Sequence, residues 1–176
     1  MDFSVNLLAT KLERHSFLEQ YATKESPDTL YIPRLNINTG HGDGWNASAF
    51  YSSVPQSAIE IYGGEVHYSL LSNERFLPEV RVRGMYSQLT GVEDMLVKST
   101  GLELSVSKGF SGITPYAGFG TTRVDSEYAL DGNTSSLMHN KYFMGLQFDL
   151  GLMSFSAETE QAGDNATTRA KMGIHF

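Results

Sequence analysis

Arg81 and Arg83 stand in the stretch Glu79-Val80-Arg81-Val82-Arg83, where charged residues alternate with valines. Alternation at period two puts both guanidiniums on one face of a β-strand, with Glu79 beside them. The stretch before it carries Glu60, Glu65 and His67 and the stretch after it carries Glu103, so adjacent strands can set carboxylates against the two arginines. Asp149 adds a further carboxylate on an inward-reading position. Opposed charges held between low-dielectric walls focus a field, which suits a solute-selective constriction or a binding site. The competing reading is an ion-pair plug, in which each charge satisfies a neighbour that would be costly to bury alone. A barrel of about eight strands is largely filled by its own side chains, which favours the plug.

Five histidines, His15, His41, His67, His139 and His175, fall on separate stretches without the spacing of metal ligands, so no metal site is expected. The chain has no cysteine, which removes a disulfide framework and a thiolate site, and nothing in it calls for a cofactor. Ser135, Ser136 and His139, with Asp125 or Glu127 nearby, form the one grouping that could support hydrolysis. Serine is abundant here and the grouping reads as coincidence, so the chain is not expected to be an enzyme.

What must position these residues is a set of strands. Seventeen glycines, nine tyrosines and ten phenylalanines, with no long Leu/Ala/Glu/Lys-rich stretch, describe pleated surfaces and turns. Ten alternating stretches are bounded by Gly, Pro, Asn, Asp or Ser: 2–12, 29–39, 45–54, 57–71, 76–89, 97–108, 113–127, 139–150, 152–161 and a last one ending at Phe176. The alternation in 57–71 slips phase at Gly63-Gly64, as a β-bulge would make it do. Leu18 with Ala22 and Phe17 with Tyr21 stand at helical spacing, so residues 12–22 read as a short rim helix or an irregular exposed loop. The 176 residues show no compositional shift that would mark a linker and read as one domain, 1–176.

A net charge of −7 sets nucleic acid aside as a partner. No apolar run reaches the roughly 18 residues of a transmembrane helix, so a membrane crossing would be made by strands. The face opposite the apolar one decides between lipid and water. It holds Ser4, Ser48, Phe50, Tyr116, Gly118, Gly120, Phe143, Gly145 and Gly173. Small and aromatic residues of this kind suit a crowded lumen, not the Lys/Glu-dense coat of a solvated surface. Tyr31, Trp45, Tyr51, Tyr86, Tyr142 and Phe176 recur near strand ends, as an interfacial girdle requires. A soluble lipocalin-like barrel is the alternative, favoured by the absence of a secretion segment after Met1; on the envelope reading that signal has been removed.

The ending Ala170-Lys-Met-Gly-Ile-His-Phe176 resembles the last strand of bacterial outer-membrane barrels, and Thr114-Pro-Tyr-Ala-Gly-Phe-Gly120 resembles strands of small opacity-type barrels. The resemblance implies an all-β, transmembrane, antiparallel up-and-down barrel of about ten strands, with eight or twelve as alternatives. It implies residence in the bacterial outer membrane, contact with outer-membrane lipid, and recognition by the barrel assembly machinery through Phe176, Ile174, Met172 and Ala170. An even strand count then puts both termini in the periplasm, with the longer connections outside. The expected role is structural or surface-interacting, as a monomer, with Arg81, Arg83, Glu60, Glu65, Glu79, Glu103 and Asp149 plugging the lumen. A narrow pore for small solutes is the first alternative and an outer-membrane enzyme the second; the surface ligand or solute is unnamed.

Overall fold

The computed structural model describes residues 2–11, 29–41, 44–54, 57–71, 77–92, 95–128, 134–163 and 165–175. They form ten strands: β1 (Asp2–Lys11), β2 (Thr29–His41), β3 (Trp45–Ser53), β4 (Glu60–Leu71), β5 (Glu79–Val92), β6 (Met95–Ser107), β7 (Ile113–Tyr128), β8 (Thr134–Asp149), β9 (Met153–Ala162) and β10 (Asn165–His175). Each strand pairs antiparallel with its chain neighbours, and β10 pairs with β1, so the sheet closes and leaves no edge. The helix and loop readings of 12–22, the terminal Phe176 and His15 fall outside the described residues.

Register fixes the shape of the closed sheet. Partners run from Phe148 through Phe155, Met172, Val5, Leu35, Tyr51, Tyr62, Gln88, Lys98 and Asp125 back to β8 at Ser136, so one circuit slips 148 − 136 = 12 residues. Ten strands with that stagger tilt by about 40° and enclose a backbone cylinder of about 10 Å radius. Side chains from opposite walls can meet across such a lumen. β1 begins and β10 ends at one end of the barrel, the terminal end, where β2 is followed by β3, β4 by β5, β6 by β7 and β8 by β9; at the opposite, loop end β1 is followed by β2, β3 by β4, β5 by β6, β7 by β8 and β9 by β10.

Burial is inverted relative to a soluble barrel. Phe143 is the one buried apolar side chain among the described residues, while Ser4, Asn6, Asn36, Ser52, Glu103, Lys141, Ser154 and Glu158 are all buried. The outer surface carries Val5, Leu7, Leu35, Ile37, Val66, Leu102, Phe119, Met144, Leu146 and Met172, all exposed. Tyr51 and Tyr62 are cross-strand partners near the loop end, and Trp45 stacks obliquely on Tyr68 at 4.5 Å near the terminal end. An apolar outer band between two aromatic borders, around a polar interior, is the architecture of a transmembrane barrel.

Two sequence expectations change. Gly63 and Gly64 hold unbroken register with Phe50 and Ala49 on one side and Ser87 and Tyr86 on the other; the irregularity in the β4–β5 ladder lies instead between Ser69 and Leu71. Ile61 therefore belongs to the inner face, in phase with Gly63, Glu65 and His67, although it is apolar. The β7–β8 hairpin also extends to Tyr128 and resumes at Thr134, because its ladder continues through Asp125–Ser136 and Glu127–Thr134, where neither face is apolar enough to show alternation.

Candidate functional site

Inward positions of successive strands bring charges together at mid-height. Arg34 of β2 pairs with Glu65 of β4, which also accepts from His67 at 3.4 Å and faces Arg83 of β5 at 3.8 Å. Arg83 pairs with Glu103 of β6, Glu103 with Lys141 of β8, and Lys141 with Glu160 of β9 at 3.5 Å. Arg169 of β10 closes the series, 2.9 Å from Glu158 and 3.8 Å from Glu160. Glu158 also accepts from the Tyr116 hydroxyl of β7 at 3.0 Å. Asn6 of β1 donates to Asn36 at 3.1 Å, and the Arg34 guanidinium lies 3.5 Å over the Phe50 ring of β3. Every strand thus contributes to one layer.

Glycine makes room for the two phenyl rings in it. A β-carbon at Gly63 would stand 2.7 Å from Phe50 Cζ, and one at Gly118 would stand 2.9 Å from Phe143 Cε1. Both lie inside normal contact, so the rings occupy space that a side chain would need. Arg83 stands 5.6 Å from the Phe143 ring centroid, within reach of a cation–π attraction.

Between this layer and the terminal end lies a cavity of about 490 Å³. Its wall is built from short polar side chains, among them Ser48, Asn38, Asn46, Ser105, Ser154 and Ser156. Glu79 and Arg81 stand at its mouth, paired with each other at 2.7 Å, and Glu79 also accepts from Ser69 at 2.7 Å. Asp149 accepts from Gln147 at 3.0 Å in the same vestibule.

Of the residues expected to form one cluster, Arg83, Glu65 and Glu103 meet. Arg81, Glu79 and Asp149 line the vestibule below them instead. Glu60 is a correction: it is exposed on the outer surface, where the Tyr51 hydroxyl donates to it at 2.7 Å. The phase error at Ile61 carried Glu60 to the wrong face. Arg34, Lys141, Glu158, Glu160, Arg169 and Lys171 were not assigned to the cluster, although each shares its strand's phase with Gly, Ser or Asn at inner positions. That phase, applied to every strand, is the signal that finds them.

Ala170, Met172 and Ile174 lie on the outer face of β10, at the seam with β1. Ser136 is the cross-strand partner of Asp125 on the outer face, whereas His139 partners Thr122 on the inner face. Ser135 shares the inner phase but stands four residues from His139, about 13 Å along an extended strand. These side chains do not converge.

No protein-family model and no curated protein matches the sequence. Among solved structures the chain is similar to the KdgM porin in complex with disordered oligogalacturonate, at 9% identity over 100% of this chain and 99% of that one, with a TM-score of 0.51. A structure of the KdgM porin alone gives 8% identity over the same shares and a TM-score of 0.50. The N-terminal β-barrel domain of Pseudomonas aeruginosa OprF gives 13% identity over 98% and 97%, with a TM-score of 0.46. The likeness is one of fold, that of the bacterial outer-membrane β-barrels.

Proposed function

We propose that this chain is an integral barrel of the bacterial outer membrane whose lumen is shut at mid-height by its own ion pairs, so that its role is structural or one of surface interaction and not bulk passage. The observation that carries the reading is the layer from Arg34 through Glu65, Arg83, Glu103, Lys141 and Glu160 to Arg169, to which all ten strands contribute. Charges satisfied by one another in a lumen of this radius have little reason to separate for a passing solute. The apolar outer band supports contact with outer-membrane lipid. By the rule of the class short connections face the periplasm, and those between β2 and β3, β6 and β7, and β8 and β9 support a periplasmic terminal end. The outer face of β10, with Ala170, Met172 and Ile174, is the surface offered to the assembly machinery.

The test is conductance in planar bilayers. Wild-type protein is expected to stay silent, and Glu103→Ala, which removes the anion between Arg83 and Lys141, is expected to give openings. Steady unitary openings by the wild type would contradict the proposal and favour a second reading, a narrow pore for small solutes. That reading draws its support from the polar cavity, which already reaches the layer from one end.

A further inference from the structure

Lys171 stands outside the ion pairs of the layer. Glu65, Glu103, Glu158 and Glu160 are matched by Arg34, Arg83, Lys141 and Arg169, each with a carboxylate within 4.0 Å. Lys171 faces the same lumen on β10 and, among the described residues, has no carboxylate at ion-pair distance. Glu65, Arg34, Arg83 and Arg169 are among the charged groups that act on it.

Polar groups without partners collect at the same place. Asn6 is the register partner of Lys171 across the β1–β10 seam, and Ser4 is the partner of Gly173. Ser4 and Asn6 are each 4% exposed, yet Ser4 Oγ and Asn6 Oδ1 have no hydrogen-bond partner, and neither has Arg169 Nε. All five residues line the vestibule cavity. Gly173 leaves the wall open between them, since a β-carbon there would stand 2.8 Å from Ser154 Oγ. Buried polar groups normally find partners, and a buried cation needs a counter-charge.

From this we infer that the wall formed by β10 and β1 is a binding site for a small hydroxylated carboxylate, of the sugar-acid or hydroxy-acid class. Lys171, Arg169 Nε and the Ser4 hydroxyl supply donors for the carboxylate. Asn6 Oδ1, with its amide nitrogen already committed to Asn36, is an acceptor and takes a hydroxyl proton of the ligand. Water could serve the orphaned atoms but would give Lys171 no carboxylate partner. The site goes beyond the closed-barrel proposal and does not depend on whether the barrel conducts.

The experiment is calorimetric titration of refolded protein in micelles, at low ionic strength, with gluconate and with glucose as the neutral polyol. Gluconate is expected to bind saturably and glucose not. Lys171→Gln is expected to weaken gluconate roughly tenfold, the contribution of one charge-assisted hydrogen bond, with Lys171→Arg restoring most of it. No saturable gluconate binding by the wild type, or equal binding of gluconate and glucose, overturns the inference, as does a Lys171→Gln protein that binds like the wild type. The wild-type comparison stands even if a variant fails to refold, and bilayer silence or opening reports separately on lumen closure.

Discussion

Glu103 is 2% exposed and sits between two cations, Arg83 and Lys141. Removing one member of a buried ion pair leaves the other uncompensated, and here two would be left. Glu103→Ala is therefore expected to destabilise the barrel by roughly 3–5 kcal/mol, read from the urea midpoint of protein folded in vesicles. Gly63→Ala sets a methyl group against the Tyr86 backbone carbonyl oxygen, which cannot swing aside, and against the Phe50 ring, and is expected to cost at least about 1–3 kcal/mol in the same measurement, through overpacking. At this scale the sequence was legible where phase and hydropathy agree. Arg83, Glu65 and Glu103 fall between valines, leucines or glycines, and their inward direction could be read directly. Glu60 could not be placed because its neighbour Ile61 is an inward apolar residue. Ile61, Leu89 and Val97 are register partners along one row of the inner face near the loop end, so there apolar no longer means outward.

All ten strands were legible as elements, since each crosses a band of lipid on one face and a Gly/Ser-rich lumen on the other, and that contrast is what alternation records. It fades above the band. Thr134 to Met138 of β8 stand in a hairpin whose two faces differ little, and the strand was read as starting five residues late. The same contrast gives a prediction within one strand. Leu146 of β8 is exposed on the outer surface, and Gln147 beside it lines the vestibule. Leu146→Arg is expected to destabilise by about 2–4 kcal/mol, the cost of a cation near the bilayer midplane. Gln147→Arg, which adds a cation beside Asp149, is expected to change stability by about 1 kcal/mol or less. Denaturant midpoints of the two variants in vesicles check the pair, and equal costs would mean that both faces see one environment.

For the whole molecule, closure of β1 onto β10 means that no strand can leave the sheet without breaking two ladders. The folded chain is expected to survive in cold dodecyl sulfate and to migrate faster than the boiled chain, a heat-modifiable shift that a chain unfolded by the detergent would lack. Strand number could be counted from the sequence because each strand carries its own alternation. The stagger of twelve could not, since it depends on which residues partner across every seam. The charged layer was likewise illegible as geometry: Arg34 lies far from Glu65 in sequence and meets it only through that stagger. The barrel is inside out, with buried polar residues within and exposed apolar residues toward lipid. Because the chain has no cysteine, single replacements on β8 test it most directly. In vesicles, Gln147→Cys is expected to react with a small water-soluble maleimide, while Leu146→Cys and Phe148→Cys react only after the lipid is dissolved by detergent. The reverse pattern, with positions 146 and 148 open to water and 147 protected, would contradict the account.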